Sequence, residues 1–160
     1  MRILGIDPGL ATGTAIYDLE TCTFVRMDEL PKGIHGFTEP YKALTGDTLG
    51  VTYVAAEKFS LRKDNKFLAD LHGVEILGWL LGECQIIKAH CPEPVQHMTL
   101  TRLRKKADKG KVSPVTTLMK SQGFKIGKGH SRMAGSVAMW YAARVLNHRP
   151  TLELLKPNDS

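Results

Sequence analysis

Ile3-Leu4-Gly5-Ile6-Asp7-Pro8-Gly9-Leu10-Ala11-Thr12-Gly13-Thr14-Ala15-Ile16 is the stretch whose reading decides the fold. Its first half is an apolar strand that delivers one carboxylate, Asp7, into a Pro-Gly turn, and its second half, from about Thr12 to Tyr17, returns beside it. Pro8 has a preset φ and no N–H for a ladder, so the strand stops at the acid. Gly9 and Gly13 allow a sharp turn or a close approach of another backbone. Asp7 is therefore held rigidly at a strand end, where it either caps the turn through its own backbone or faces a partner.

Outward from this hairpin, Cys22 to Met27 reads as a third strand, with turns at Leu19-Glu20-Thr21 and Pro31-Lys32-Gly33. A helix is expected from about Gly36 to Leu44, ended by Gly46. Val51-Thr52-Tyr53-Val54-Ala55-Ala56 then forms a buried strand that ends in Glu57, a second acid at a strand end. After a polar loop, Phe67, Leu68, Leu71, Val74, Leu77 and Leu81 recur at helical spacing up to about Gly82, a stripe suited to core or dimer contact. Gln85 to Lys88 reads as a short strand closed by Cys91-Pro92-Glu93-Pro94. Ser113-Pro114 opens a helix to Gln122-Gly123 as N-cap and first helical residue. The last long helix starts near Ser131 and carries Ala134, Val137, Ala138, Tyr141 and Val145 on one face. Residues 1–149 are expected to form a single domain, and Pro150 to Ser160 a frayed tail.

This order implies an α/β class, with a five-stranded mixed sheet (three antiparallel strands, then parallel ones) flanked by helices. A fourth strand paired parallel to the first through the intervening helix brings Asp7 and Glu57 to one sheet edge. Two convergent carboxylates make a site for a hard cation.

The chain of 160 residues is long enough to bury roughly 70% of its unfolded surface. Its three cysteines, Cys22, Cys84 and Cys91, lack a paired spacing, which argues for a reducing compartment and against a disulfide frame or zinc ribbon. No apolar run reaches the roughly 18 residues of a membrane span, and the expectation is a soluble, intracellular protein without membrane contact. The net charge of +6 is unevenly placed: residues 1–80 carry 8 basic and 11 acidic side chains, residues 81–160 carry 14 and 5. Arg102, Arg104, Lys105, Lys106, Lys109 and Lys111 are opposed locally by Asp108 alone, a cluster suited to neutralising the phosphates of a polyanion.

Four features coincide: Ile3-Leu4-Gly5-Ile6-Asp7-Pro8-Gly9; Ala55-Ala56-Glu57 after an apolar strand; Ala107-Asp108-Lys109 in a basic segment; and Gly129-His130-Ser131-Arg132-Met133-Ala134 opening the last helix. Together they resemble the RuvC-type Holliday junction resolvases, most like the short phage-encoded members, over almost the whole chain. The resemblance implies a ribonuclease H-like fold, a homodimer, and nicking of symmetry-related strands at a four-way junction or other branched DNA during recombination, repair or phage DNA processing. It implies two Mg²⁺ or Mn²⁺ ions, with Asp7 bridging both, Glu57 binding one, and His130 serving as ligand or as the base that positions the attacking water. It also implies work on DNA in the cytoplasm of a bacterial or phage-infected cell. Basic residues along the DNA path are Arg62, Lys63, Arg102, Arg104, Lys105, Lys109, Lys111, Lys128 and Arg132, with Lys66 and Lys125 nearby. Phe59 or Phe67 is placed to pack in the core or stack on bases.

One position departs from the family pattern. Met133 stands where an acid is expected, and a thioether is a poor ligand for Mg²⁺. Three readings follow: a protein that binds junctions but cuts them weakly, a site completed by another carboxylate such as Asp70 or Glu75, or an altered residue. Retained endonuclease activity is the preferred reading, with a non-catalytic junction-binding protein or a broader ribonuclease H-like nuclease as alternatives. The Gly-Ile-Asp-Pro-Gly loop also resembles the phosphate loop of actin-like ATPases, but those need a second such domain, for which this length leaves no room.

Overall fold

β1 (Arg2–Asp7), β2 (Thr12–Asp18) and β3 (Thr23–Leu30) form an antiparallel meander. Cys22, with φ of 54°, turns the chain between the second and third strands. The computed structural model describes residues 1–57, 71–87, 92–95, 113–125 and 129–156. α1 (Ile34–Thr45) and a 3-10 turn (Asp47–Leu49) carry the chain to β4 (Val51–Glu57), which lies parallel to β1. α2 (His72–Ile87) and the short β5 (Pro92–Val95) follow, and β5 lies parallel to β4. α3 (Pro114–Ser121), α4 (His130–Arg144) and α5 (Arg149–Leu154) complete the described elements. The sheet order is β3-β2-β1-β4-β5.

Strand period two sorts the core into two layers. Ile3, Ala15, Tyr17, Phe24 and Ala55 pack under Val115 and Met119 of α3 and Ala134, Val137, Ala138 and Tyr141 of α4. Leu4, Ile6, Ile16, Val54 and Ala56 point the other way, against Phe37, Tyr41 and Leu44 of α1 and Ile76 and Leu80 of α2. The central strand β1 is thus covered on both faces, which explains its unbroken apolar run.

Three expectations need correction. Gln85 to Ile87 belong to α2 and not to a strand, and the edge strand is Pro92–Val95, the segment read above as a closing turn. The apolar run after Gly82 meets no helix breaker, so the helix continues. Pro92 and Pro94 are two residues apart, so both missing N–H groups lie on one side of the strand; on the outer edge they cost the ladder nothing. The third strand extends to Leu30, beyond Met27, because it stays paired with β2 as far as Thr12. The tail from Pro150 is not frayed over its described part. Pro150 stands in the first turn of α5, and Thr151 is fully buried, its Oγ1 3.0 Å from the Tyr17 hydroxyl and 2.8 Å from His148 Nδ1. Among the described residues no helix is long and apolar enough to cross a membrane.

Candidate active site

The site starts from the register of the sheet. Asp7 is paired with Gly13 on β2, and Gly13 with Glu29 on β3. On the other side Ile6 is paired with Ala56, which sets Asp7 beside Glu57 at the ends of two parallel strands. Residues opposite one another across a sheet share a face, so one row runs Glu29, Gly13, Asp7, Glu57. Its face is that of Gly5 and Ala55, the face covered by α4.

Glycine lets α4 come this close. A Cβ on Gly5 would overlap the backbone of Ala134 and Ala138, and a Cβ on Gly13 would overlap the His130 carbonyl. The first turn of α4 therefore lies directly on the row of acids. His130 Nδ1 is 3.1 Å from Asp7 Oδ2, with the imidazole about half exposed and Asp7 mostly enclosed. Glu57 is buried. The turn after Asp7 is closed by Thr12, whose hydroxyl donates to the Gly9 carbonyl at 2.9 Å. Thr12 carries the capping role open to Asp7 in sequence, and the carboxyl of Asp7 is turned to His130 instead.

The electrostatics follow from this crowding. Burial, and next the charge of Glu57 beside it, push the Asp7 carboxyl up to about 7, against a smaller opposing pull from His130. Two carboxyls and an imidazole are a donor set for a hard divalent cation, and a cation between the acids relieves the repulsion that raises Asp7. Asp7 and Glu57, with His130 at their side, are the residues that would hold it. Among the described residues no group of three or more His, Cys, Asp or Glu is arranged as a ready-made metal cage.

Of the other sequence candidates, Glu75 is exposed on the first turn of α2, with its carboxylate 3.3 Å from His72 Nδ1. Met133 lies one turn beyond His130 on α4 and is half-buried. Arg132 and Lys125 are exposed. Asp70, Arg62, Lys63, Lys66, Phe59, Phe67, Arg102, Arg104, Lys105, Lys109, Lys111 and Lys128 lie outside the described residues. Sequence reasoning missed Glu29, whose Oε1 accepts from the Gly129 N–H at 3.1 Å and, at 3.5 Å, from that of Ser131. Its place in the row is set by strand register, and no local motif marks it.

No family model matches the chain, and no curated protein matches it in sequence. Solved structures do. RuvC of T. thermophilus, determined in complex with a Holliday junction substrate, superposes with a TM-score of 0.58 at 16% identity, over 91% of this chain and 96% of that one. The Holliday junction resolvase of fowlpox virus gives a TM-score of 0.58 at 13% identity, over 91% and 99%. The same viral resolvase with its substrate Holliday junction DNA gives 0.53 at 15%. The chain has the fold of the RuvC-type resolvases. In this fold, the two parallel strand ends and the start of α4 are where Asp7, Glu57 and His130 meet.

Proposed function

We propose that the chain is a divalent-metal-dependent endonuclease that resolves four-way DNA junctions by paired, symmetric nicking, acting as a homodimer on DNA of a bacterial or phage-infected cell. The observation that carries the proposal is the juxtaposition of Asp7 and Glu57 at adjacent parallel strand ends, with His130 of α4 at Asp7, in a fold shared with junction resolvases. The two structures solved with junction DNA support the substrate class. The excess of basic residues after residue 80 supports a nucleic-acid partner.

Asp7 and Glu57 would hold Mg²⁺ or Mn²⁺ between them. A bound divalent cation supplies Lewis acidity to the phosphodiester and to the attacking water. Asp7, kept rigid by the strand end and Pro8, fixes where that charge sits. His130 is anchored through Nδ1, which leaves Nε2 to orient a water and take its proton. Arg132, on the exposed side of the same turn, contacts backbone phosphate and positions the strand without reading its sequence.

A second reading, a protein that binds junctions without cutting them, is favoured by Met133, whose thioether is a poor ligand for Mg²⁺. A nicking assay on a labelled four-way junction decides between them, with linear duplex and RNA/DNA hybrid as controls in Mg²⁺, Mn²⁺ and EDTA. Paired metal-dependent nicks near the crossover, abolished by Asp7→Asn with junction binding kept, are the expected result. Tight binding without nicks in either metal establishes the second reading.

A further inference from the structure

We infer that Glu29 is a positioning residue for His130, tying the first turn of α4 to the same strand row that carries Asp7. This rests on the nuclease reading above and extends it to a residue on a different strand from either strand-end acid.

The first amides of a helix have no partner within it and need acceptors from elsewhere. At α4 the N-cap is Gly129, held at φ of 105° and without a side chain to serve, and no side-chain cap is made locally. Glu29 fills that role from β3. Its Oε1 accepts from the Gly129 N–H at 3.1 Å and reaches the Ser131 N–H at 3.5 Å. The residue between these two amides is His130. A carboxylate at the positive end of a fifteen-residue helix is favoured by the helix dipole, and its hydrogen bonds are charge-assisted.

The underside of the same turn is set by Gly13, which has no room for a Cβ beneath the His130 carbonyl. Glu29, Gly13 and Asp7 are successive partners across three strands. The ladder therefore fixes the spacing between the residue that grips α4 and the acid that His130 must meet. The imidazole itself is about half exposed, so its own packing holds it weakly. Its 3.1 Å contact with Asp7 depends on where Glu29 places the backbone.

The test compares wild type, Glu29→Ala and Glu29→Gln in three measurements, with Asp7→Asn as the inactive control. These are single-turnover nicking of a four-way junction, junction affinity in EDTA, and Mn²⁺ binding to the DNA-free protein by calorimetry together with amide exchange at Gly129 and Ser131. Glu29→Ala is expected to slow nicking by about 10- to 100-fold, the cost of a misplacement near 1 Å, with junction affinity unchanged and the two amides exchanging faster. Glu29→Gln keeps an oxygen acceptor and is expected to recover most of the rate and the protection. Wild-type nicking and amide protection in Glu29→Ala would overturn the inference. Loss of junction binding along with nicking in both variants would overturn it too, since Glu29 would then support the fold as a whole. A wild type that never nicks refutes the nuclease reading alone. The DNA-free arm then decides on Glu29: faster amide exchange with weaker Mn²⁺ binding supports it, and no change in either overturns it.

Discussion

Asp7 ionises against its surroundings, and this has a thermodynamic consequence. With its folded-state value raised to about 7 from an ordinary 3.8, the native chain keeps a proton that the unfolded chain has released. The stability linked to this group is fully present at low pH and is lost as pH rises toward 7, by something on the order of 4 kcal/mol in the metal-free protein. Asp7→Asn removes the ionisation. Its thermal midpoint, measured without divalent metal, should exceed that of wild type at pH 8 and match it near pH 4; an equal difference at both values would contradict the electrostatic account. Met133 makes the complementary case. It is one turn from His130 on the same side of α4, so Met133→Asp should tighten Mn²⁺ binding by roughly an order of magnitude, as added ligand charge does. Calorimetry checks this, and an unchanged affinity would place residue 133 away from the cation.

Elements follow local signals where those signals are strong. Ser113 caps α3, its hydroxyl accepting from the Thr116 N–H at 3.2 Å, and Pro114 follows as the first helical residue, as the sequence indicates. Gly46 ends α1 as expected. The short C-terminal α5 shows the opposite case, because its stability comes from docking and not from propensity. Thr151 is the peg, bonded to both Tyr17 and His148 in the interior. Thr151→Val keeps the shape and strands the Tyr17 hydroxyl, so it should lower the free energy of unfolding by about 1–3 kcal/mol while leaving junction binding intact. Chemical denaturation measures this, and an unaltered midpoint would mean that α5 is held by its apolar contacts alone.

At the scale of the whole molecule, α2 separates two surfaces. Ile76 and Leu80 face the core, while Leu71, Val74 and Leu81 are exposed at helical spacing on the opposite side, around Gly78. A face of this kind suits the second copy that the proposed paired nicking requires. Val74→Lys combined with Leu81→Lys should therefore convert the protein to monomers in sedimentation and uncouple the two nicks, with each monomer still folded. Dimers that survive both changes would exclude this face as the interface. The sheet itself is the part of the molecule most legible beforehand: three antiparallel strands and a parallel fourth follow from turn residues and apolar runs. Less legible were the limits of α2 and the edge strand, since a short apolar run fits either a strand or a helix.

The sequence by itself determined that Asp7 and Glu57 end strands, because an unbroken apolar run meets Pro8 in one case and a polar segment in the other. It also placed His130 at the start of a helix, because Gly129 precedes an amphipathic stretch. A parallel fourth strand already implied that the two acids converge; tertiary structure alone decided that they meet His130 on one face. Strand parity and the parallel pairing of β1 with β4 turn both acids to one face, and two glycines without side chains let α4 settle on that face. Glu29 was invisible beforehand for the same reason: its function comes from a register spanning three strands and from contact with a helix one hundred residues away.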